Sequence, residues 1–178
     1  MTGEPATARE ATLLFQATML VSMVGIFLGI FFMFMNTDLA IRIAAALLVG
    51  LVGVISFLRH SVCYRSDQVR MGWHQDHPEF QIEVGFANLA IGIWALVAAV
   101  FNGGAAACGI VLGIYGTYLL CALILHVKEA FGKRDLSLPQ DRERAVRSVF
   151  STGLFVLALY GFAFLAFARA GFIPFMHL

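Results

Sequence analysis

Charge is what this chain has least of. Asp, Glu, Lys and Arg make up 13 % of its 178 residues, about half the roughly 25 % of a soluble domain. The formal net charge is +1, so overall charge gives no reason to expect a nucleic-acid partner. Cysteine is also scarce. Cys63, Cys108 and Cys121 form no spacing motif, and an odd count in apolar surroundings argues against a disulfide scaffold. There is no His-Glu-x-x-His, no glycine-rich phosphate loop, no Cys-x-x-Cys and no Gly-x-Ser-x-Gly. Ser61 and Ser66 lack a recognisable activating partner. No enzyme class follows from these residues.

What the chain has instead is apolar length. Hydrophobic residues reach 60 %, more than a soluble domain of this size can hide but natural for a surface that faces lipid. From Val84 to Val127, 44 residues carry no Asp, Glu, Lys or Arg, interrupted only by the turn signal Asn102-Gly103-Gly104. That is two spans of about 20 residues and a tight turn. A second run, Ala11 to Thr37, holds 27 uncharged residues, too long for the roughly 7–15 of a signal-peptide core, and reads as a retained first helix.

The expected fold is all-α: a polytopic membrane protein with five transmembrane helices, forming a single integral membrane domain over residues 1–178. The helices fall at about 12–35, 39–59, 78–101, 105–127 and 147–169. Asn36-Thr37-Asp38 turns the chain after the first, and the 59–79 and 128–147 segments read as loops. Pro139 is expected to break the chain ahead of the last helix. Ten of the twelve Lys and Arg residues then fall on one side, leaving Arg42 and Arg169 on the other. The positive-inside rule makes the rich side cytoplasmic, with the N-terminus inside and the C-terminus external. A multi-pass protein of the cell inner membrane is expected, with the lipid bilayer as its main partner.

Small residues recur at helical spacing: Gly25 and Gly29, Gly50 and Gly53, Gly85 and Gly92, and Ala105, Gly109 and Gly113. Such stripes let backbones approach closely. They suit packing within the chain, and also a homo-oligomer built through the same faces. The phenylalanines of the first and last helices, including Phe162, Phe164 and Phe167, read as lipid-facing or interfacial. The mixed-charge 128–147 segment suits anionic lipid or a cytoplasmic protein partner.

The unusual polar residues gather in one layer. Asp76, Pro78 and Glu79 have the spacing of a helix start. Glu83 lies one turn deeper among apolar neighbours and needs a partner, for which His126 or His60 is the natural choice. Asn88 lies deeper still, and Tyr115 leads down one helix face toward His126 and Glu129. Three chemistries stay open. His60, Glu83, His126 and Glu129 can hold a divalent transition metal as cofactor. The same layer can carry a proton, a small ion or a hydrophobic solute. Or Glu79, Asn88 and Tyr115 belong to a structural polar network, as in an accessory or scaffolding membrane subunit. His74 and His77 join a ligand set only if their loop folds back. Deeper polar groups are few (Gln16, Ser22, Asn88, Tyr115, Tyr118, Tyr160), which argues against a large polar substrate.

The stretch Pro78-Glu-Phe-Gln-Ile-Glu-Val-Gly-Phe-Ala-Asn-Leu-Ala-Ile-Gly92 resembles a segment of small uncharacterised bacterial multi-pass inner-membrane proteins of unknown function. There Glu-x-Gly-Phe-Ala-Asn-Leu opens a central helix. The resemblance covers about 15 residues, implies a multi-pass helical fold and carries no activity with it.

Overall fold

A computed structural model describes residues 7–72, 78–131 and 139–173. Every regular element among the described residues is a helix. We number them α1 (Arg9–Met33), α2 (Thr37–Val62), α3 (Tyr64–Met71), α4 (Glu79–Val100), α5 (Gly104–Phe131) and α6 (Pro139–Arg169). Five of them contain a stretch long and apolar enough to cross a membrane, in α6 the part Val149–Arg169. The protein is an all-α polytopic membrane protein.

The turns form where local chemistry demands them. Asn36 is extended, and its side-chain oxygen accepts the backbone N–H of Leu39 at 3.0 Å, capping α2. The α4–α5 turn places Asn102 (φ 54°) and Gly104 (φ 82°) in the left-handed region, which these residue types tolerate best. Two expectations fail here. The 59–79 segment is not all loop: α3 forms within it and ends at Gly72, whose φ of 68° stops the helix. Pro139 does not break the chain before the last helix but is that helix's first residue, where its missing N–H costs nothing. The proposed Asp76 cap and the His74 and His77 pair lie outside the described residues.

Helix α2 is the central element. Half of its apolar window is buried, against 17 % for α1, and it packs against α1, α4, α5 and α6. Its ladder widens into π-type turns over Ala45–Leu51 and Leu58–Val62. At the second, the N–H of Cys63 reaches back five residues to the carbonyl of Leu58 at 2.8 Å. Such turns shift the face that a helix presents.

The α2–α4 crossing is nearly backbone on backbone. A Cβ placed on Gly53 would lie 2.6 Å from the carbonyl oxygen of Asn88 and 2.9 Å from Cα of Gly92. No other residue fits there without moving a helix. On α1 the inward stripe is Ala11, Thr18, Ser22, Gly25 and Gly29, while Leu13, Met23 and Phe27 face outward. Phe162 corrects another expectation. It does not face lipid; it is 6 % exposed and its ring fills the space left by Gly29. Phe164 does face outward.

Asp67 and Asp38 mark opposite ends of the bundle, since α2 runs its full length between them. The middle is closed by Ile41, Leu48, Val49, Leu112 and Leu159, all fully buried.

Candidate functional site

Asp67 is fully buried. Helix α3 places it there because that short helix folds back beneath α1, α2 and α4 rather than crossing the membrane. A carboxylate taken out of water needs donors and countercharge, and three helices supply them. Nε of Arg70 donates to Oδ1 at 3.1 Å from one turn along α3. Nε2 of Gln81, on the first turns of α4, donates to Oδ2 at 3.2 Å. Nδ1 of His60, at the end of α2, lies 2.8 Å from Oδ2, close but off the line of an ideal hydrogen bond. Nε of Arg59 stands 3.7 Å from Oδ1, near enough for charge but too far for a hydrogen bond. From α1, the Phe15 ring lies beside both guanidiniums, with Arg59 at 5.7 Å and Arg70 at 4.7 Å from its centre.

Burial works against the ionised form of Asp67. The contact from His60 and the charges of Arg59 and Arg70 together outweigh it and hold the carboxyl below the usual carboxylate range. Next door, Ser66 accepts the backbone N–H of Ala11 at 3.1 Å and donates to Oε2 of Glu10 at 3.1 Å, fastening the start of α1 to α3.

The tautomer of His60 follows from its neighbours. Nη2 of Arg59 lies 2.8 Å from Nε2 of His60. A guanidinium can only donate, so Nε2 must be a bare acceptor and the ring proton sits on Nδ1, the nitrogen beside Asp67. The imidazole is therefore neutral, with its one open lone pair covered by Arg59. The π-type turn over Leu58–Val62 contains both residues.

Deeper in the bundle lies a second polar group. Asn88 on α4 is 3 % exposed. Its Nδ2 donates to the carbonyl of Val84 at 2.7 Å and to the hydroxyl of Tyr118 at 3.2 Å. Its Oδ1 accepts the hydroxyl of Tyr115 at 3.1 Å. The two phenol rings stack at 6.0 Å. Arg59 is within electrostatic reach of both, so the two groups form a polar layer that stops at the apolar middle.

The structure brings Asn88 and Tyr115 together, and it draws His60 into the Asp67 cluster. It does not bring Glu79 or Glu83 to Asn88: both are exposed. Sequence reasoning expected Glu83 to lie slightly inside the hydrocarbon boundary, with His126 or His60 as its partner. It instead points away from the helix contacts, and it has no hydrogen bond or ion pair among the described residues. His126 is half-buried with a partner of its own, and the side chain of Glu129 lies outside the described residues. Among the described residues, no group of three His, Cys, Asp or Glu side chains could hold a metal ion.

Sequence reasoning missed Asp67, Arg59, Arg70, Gln81 and Phe15. The available signal was Ser66-Asp67 with Arg70 three residues on and Gly72 as a stop, which marks a short helix with paired charges.

The sequence from 12 to 172 matches the model of a family of unknown function, DUF6790. The chain belongs to the DUF6790 family. That match takes in the Asp67 cluster, the Asn88 group and nearly all of the five apolar helices of this DUF6790 protein. No curated protein and no solved structure matches it.

Proposed function

We propose that this protein is a carrier that couples proton movement to that of a small ion, with His60 as the group that takes and releases the proton. The observation that carries this reading is the neutral imidazole held between Arg59 and the buried Asp67, at the mouth of a polar layer reaching Asn88. A proton arriving at Nε2 turns an acceptor into a donor. The imidazolium stays with Asp67, and Arg59 is expelled from Nε2. Loss of the proton restores the starting arrangement. The groups facing His60 are Arg59 from its own helix and Asp67 and Arg70 from α3, with Gln81 of α4 on the same carboxylate. An ionisable cluster inside a membrane bundle is costly and marks a functional site by default.

The apolar middle closes the path on the Asp38 side, so the proton reaches His60 from the Asp67 face. We assign that face to the cytoplasm of the cell inner membrane, because Arg9, Arg59, Arg65, Arg70 and Lys128 all lie at the Asp67 end.

The test is proton flux into proteoliposomes holding a trapped pH dye, driven by an imposed pH gradient. Wild-type vesicles should acidify faster than empty ones, and His60→Gln should slow this at least about tenfold. A wild-type rate equal to that of empty vesicles would contradict the carrier reading and favour an accessory subunit.

A further inference from the structure

We infer that the Asp67 end binds a small monovalent anion. The transport side of this inference rests on the carrier reading above; the binding itself does not. The first argument is charge. Arg59 and Arg70 face one buried carboxylate, and His60 between them is neutral. Two positive charges against one negative leave an excess of +1 in a largely buried cluster. Among the described residues, the Glu10 carboxylate is exposed and already accepts from Ser66, and Glu83 is exposed on α4. The Phe15 ring eases both guanidiniums but accepts no in-plane hydrogen bond.

The second argument is the balance of unused donors over acceptors. Asp67 is already approached by Arg70, Gln81 and His60. Nε of Arg59 is buried with no acceptor, and so is Nε2 of Gln68, one residue beyond Asp67. The hydroxyl of Tyr118 accepts from Asn88, and its own proton meets no acceptor among the described residues. Among the described residues the one unused buried side-chain acceptor is Oε1 of Gln81, turned from Asp67 because its amide nitrogen must face that carboxylate. Unused donors beside excess positive charge are the chemistry that recognises an anion. A cation would meet two arginines. One negative charge balances the cluster, so the fitting ligand is monovalent: a halide, nitrate or formate.

Chloride is the probe. Its NMR linewidth is measured with the purified full-length protein in detergent, alongside Arg59→Gln, Tyr118→Phe and the exposed-site control Arg65→Gln. Wild type should broaden the line saturably, and nitrate should compete. Arg59→Gln should weaken binding at least about tenfold and Tyr118→Phe about threefold, with Arg65→Gln unchanged. If Arg59→Gln does not fold, Tyr118→Phe decides, because it removes one oxygen only. No broadening above empty micelles, or broadening untouched by the folded variants, would overturn the inference. Chloride binding without proton flux would leave the anion site standing and remove the carrier. His60-dependent proton flux without chloride binding would do the reverse.

Discussion

The two ends of the bundle solve the same problem in opposite ways. At one end Asp38 and Arg169 form a two-pronged ion pair, Nε to Oδ1 at 3.0 Å and Nη2 to Oδ2 at 2.9 Å. Both side chains are in the open, 56 % and 41 % exposed. At the other end Asp67 is fully buried and shares its charge among His60, Arg59 and Arg70. The exposed pair has ideal geometry, yet solvent and salt screen it, and such pairs contribute little. The buried cluster has poorer alignment, but each member is held in place because removing one strands the rest. Good geometry is therefore not the mark of the end we propose as functional. Burial of charge is.

Asp67→Ala should give the largest effect on stability. It leaves Arg59 and Arg70 uncompensated and should cost about 3–5 kcal/mol, read as a large fall in the thermal midpoint in detergent. The same residue sets a pH dependence. Its carboxyl is held below the ordinary range, so its contribution is complete above about pH 4 and is lost as pH falls through the lower folded-state value. The gap in midpoint between wild type and Asp67→Asn should narrow below pH 4.

Next in size is the helix crossing between the two ends. A Cβ on Gly92 would lie 2.9 Å from the carbonyl oxygen of Gly50. Gly92→Val should cost about 1–3 kcal/mol through forced separation of α2 and α4, again read by thermal unfolding. Asn88→Leu removes two tyrosine contacts and should cost about 0.6–1.7 kcal/mol, the range for interhelical hydrogen bonds in membranes. Smallest is Asp38→Asn. It should change stability by no more than about 1 kcal/mol, and by less as salt is raised. A loss as large as that of Asp67→Ala would erase the distinction between the ends.

Much of the scaffold was legible because lipid demands long apolar helices, and the 44-residue run with its Asn102-Gly103-Gly104 turn leaves few alternatives. The Asp67 cluster was hidden for a physical reason. Asp67 and Arg70 lie on α3, too short and polar to span a membrane, so they looked like part of a watery loop. Glu83 misled in the opposite direction, since apolar neighbours along the chain do not say which way a helix turns its side chain. Asn88 was easier: a lone amide deep in an apolar helix must find partners, and Tyr115 and Tyr118 supply them. The grip of Arg59 on His60 depends on a π-type turn, for which sequence patterns give no reliable sign.

The central claim is that His60 is a neutral imidazole with Nδ1 protonated and Nε2 covered by Arg59. Nitrogen-15 NMR of histidine-labelled protein at neutral pH tests it directly, with the His60 signals identified as those missing from His60→Gln. The account predicts one protonated Nδ1 and one bare, hydrogen-bonded Nε2. A ring protonated on Nε2 alone, or on both nitrogens, would contradict it.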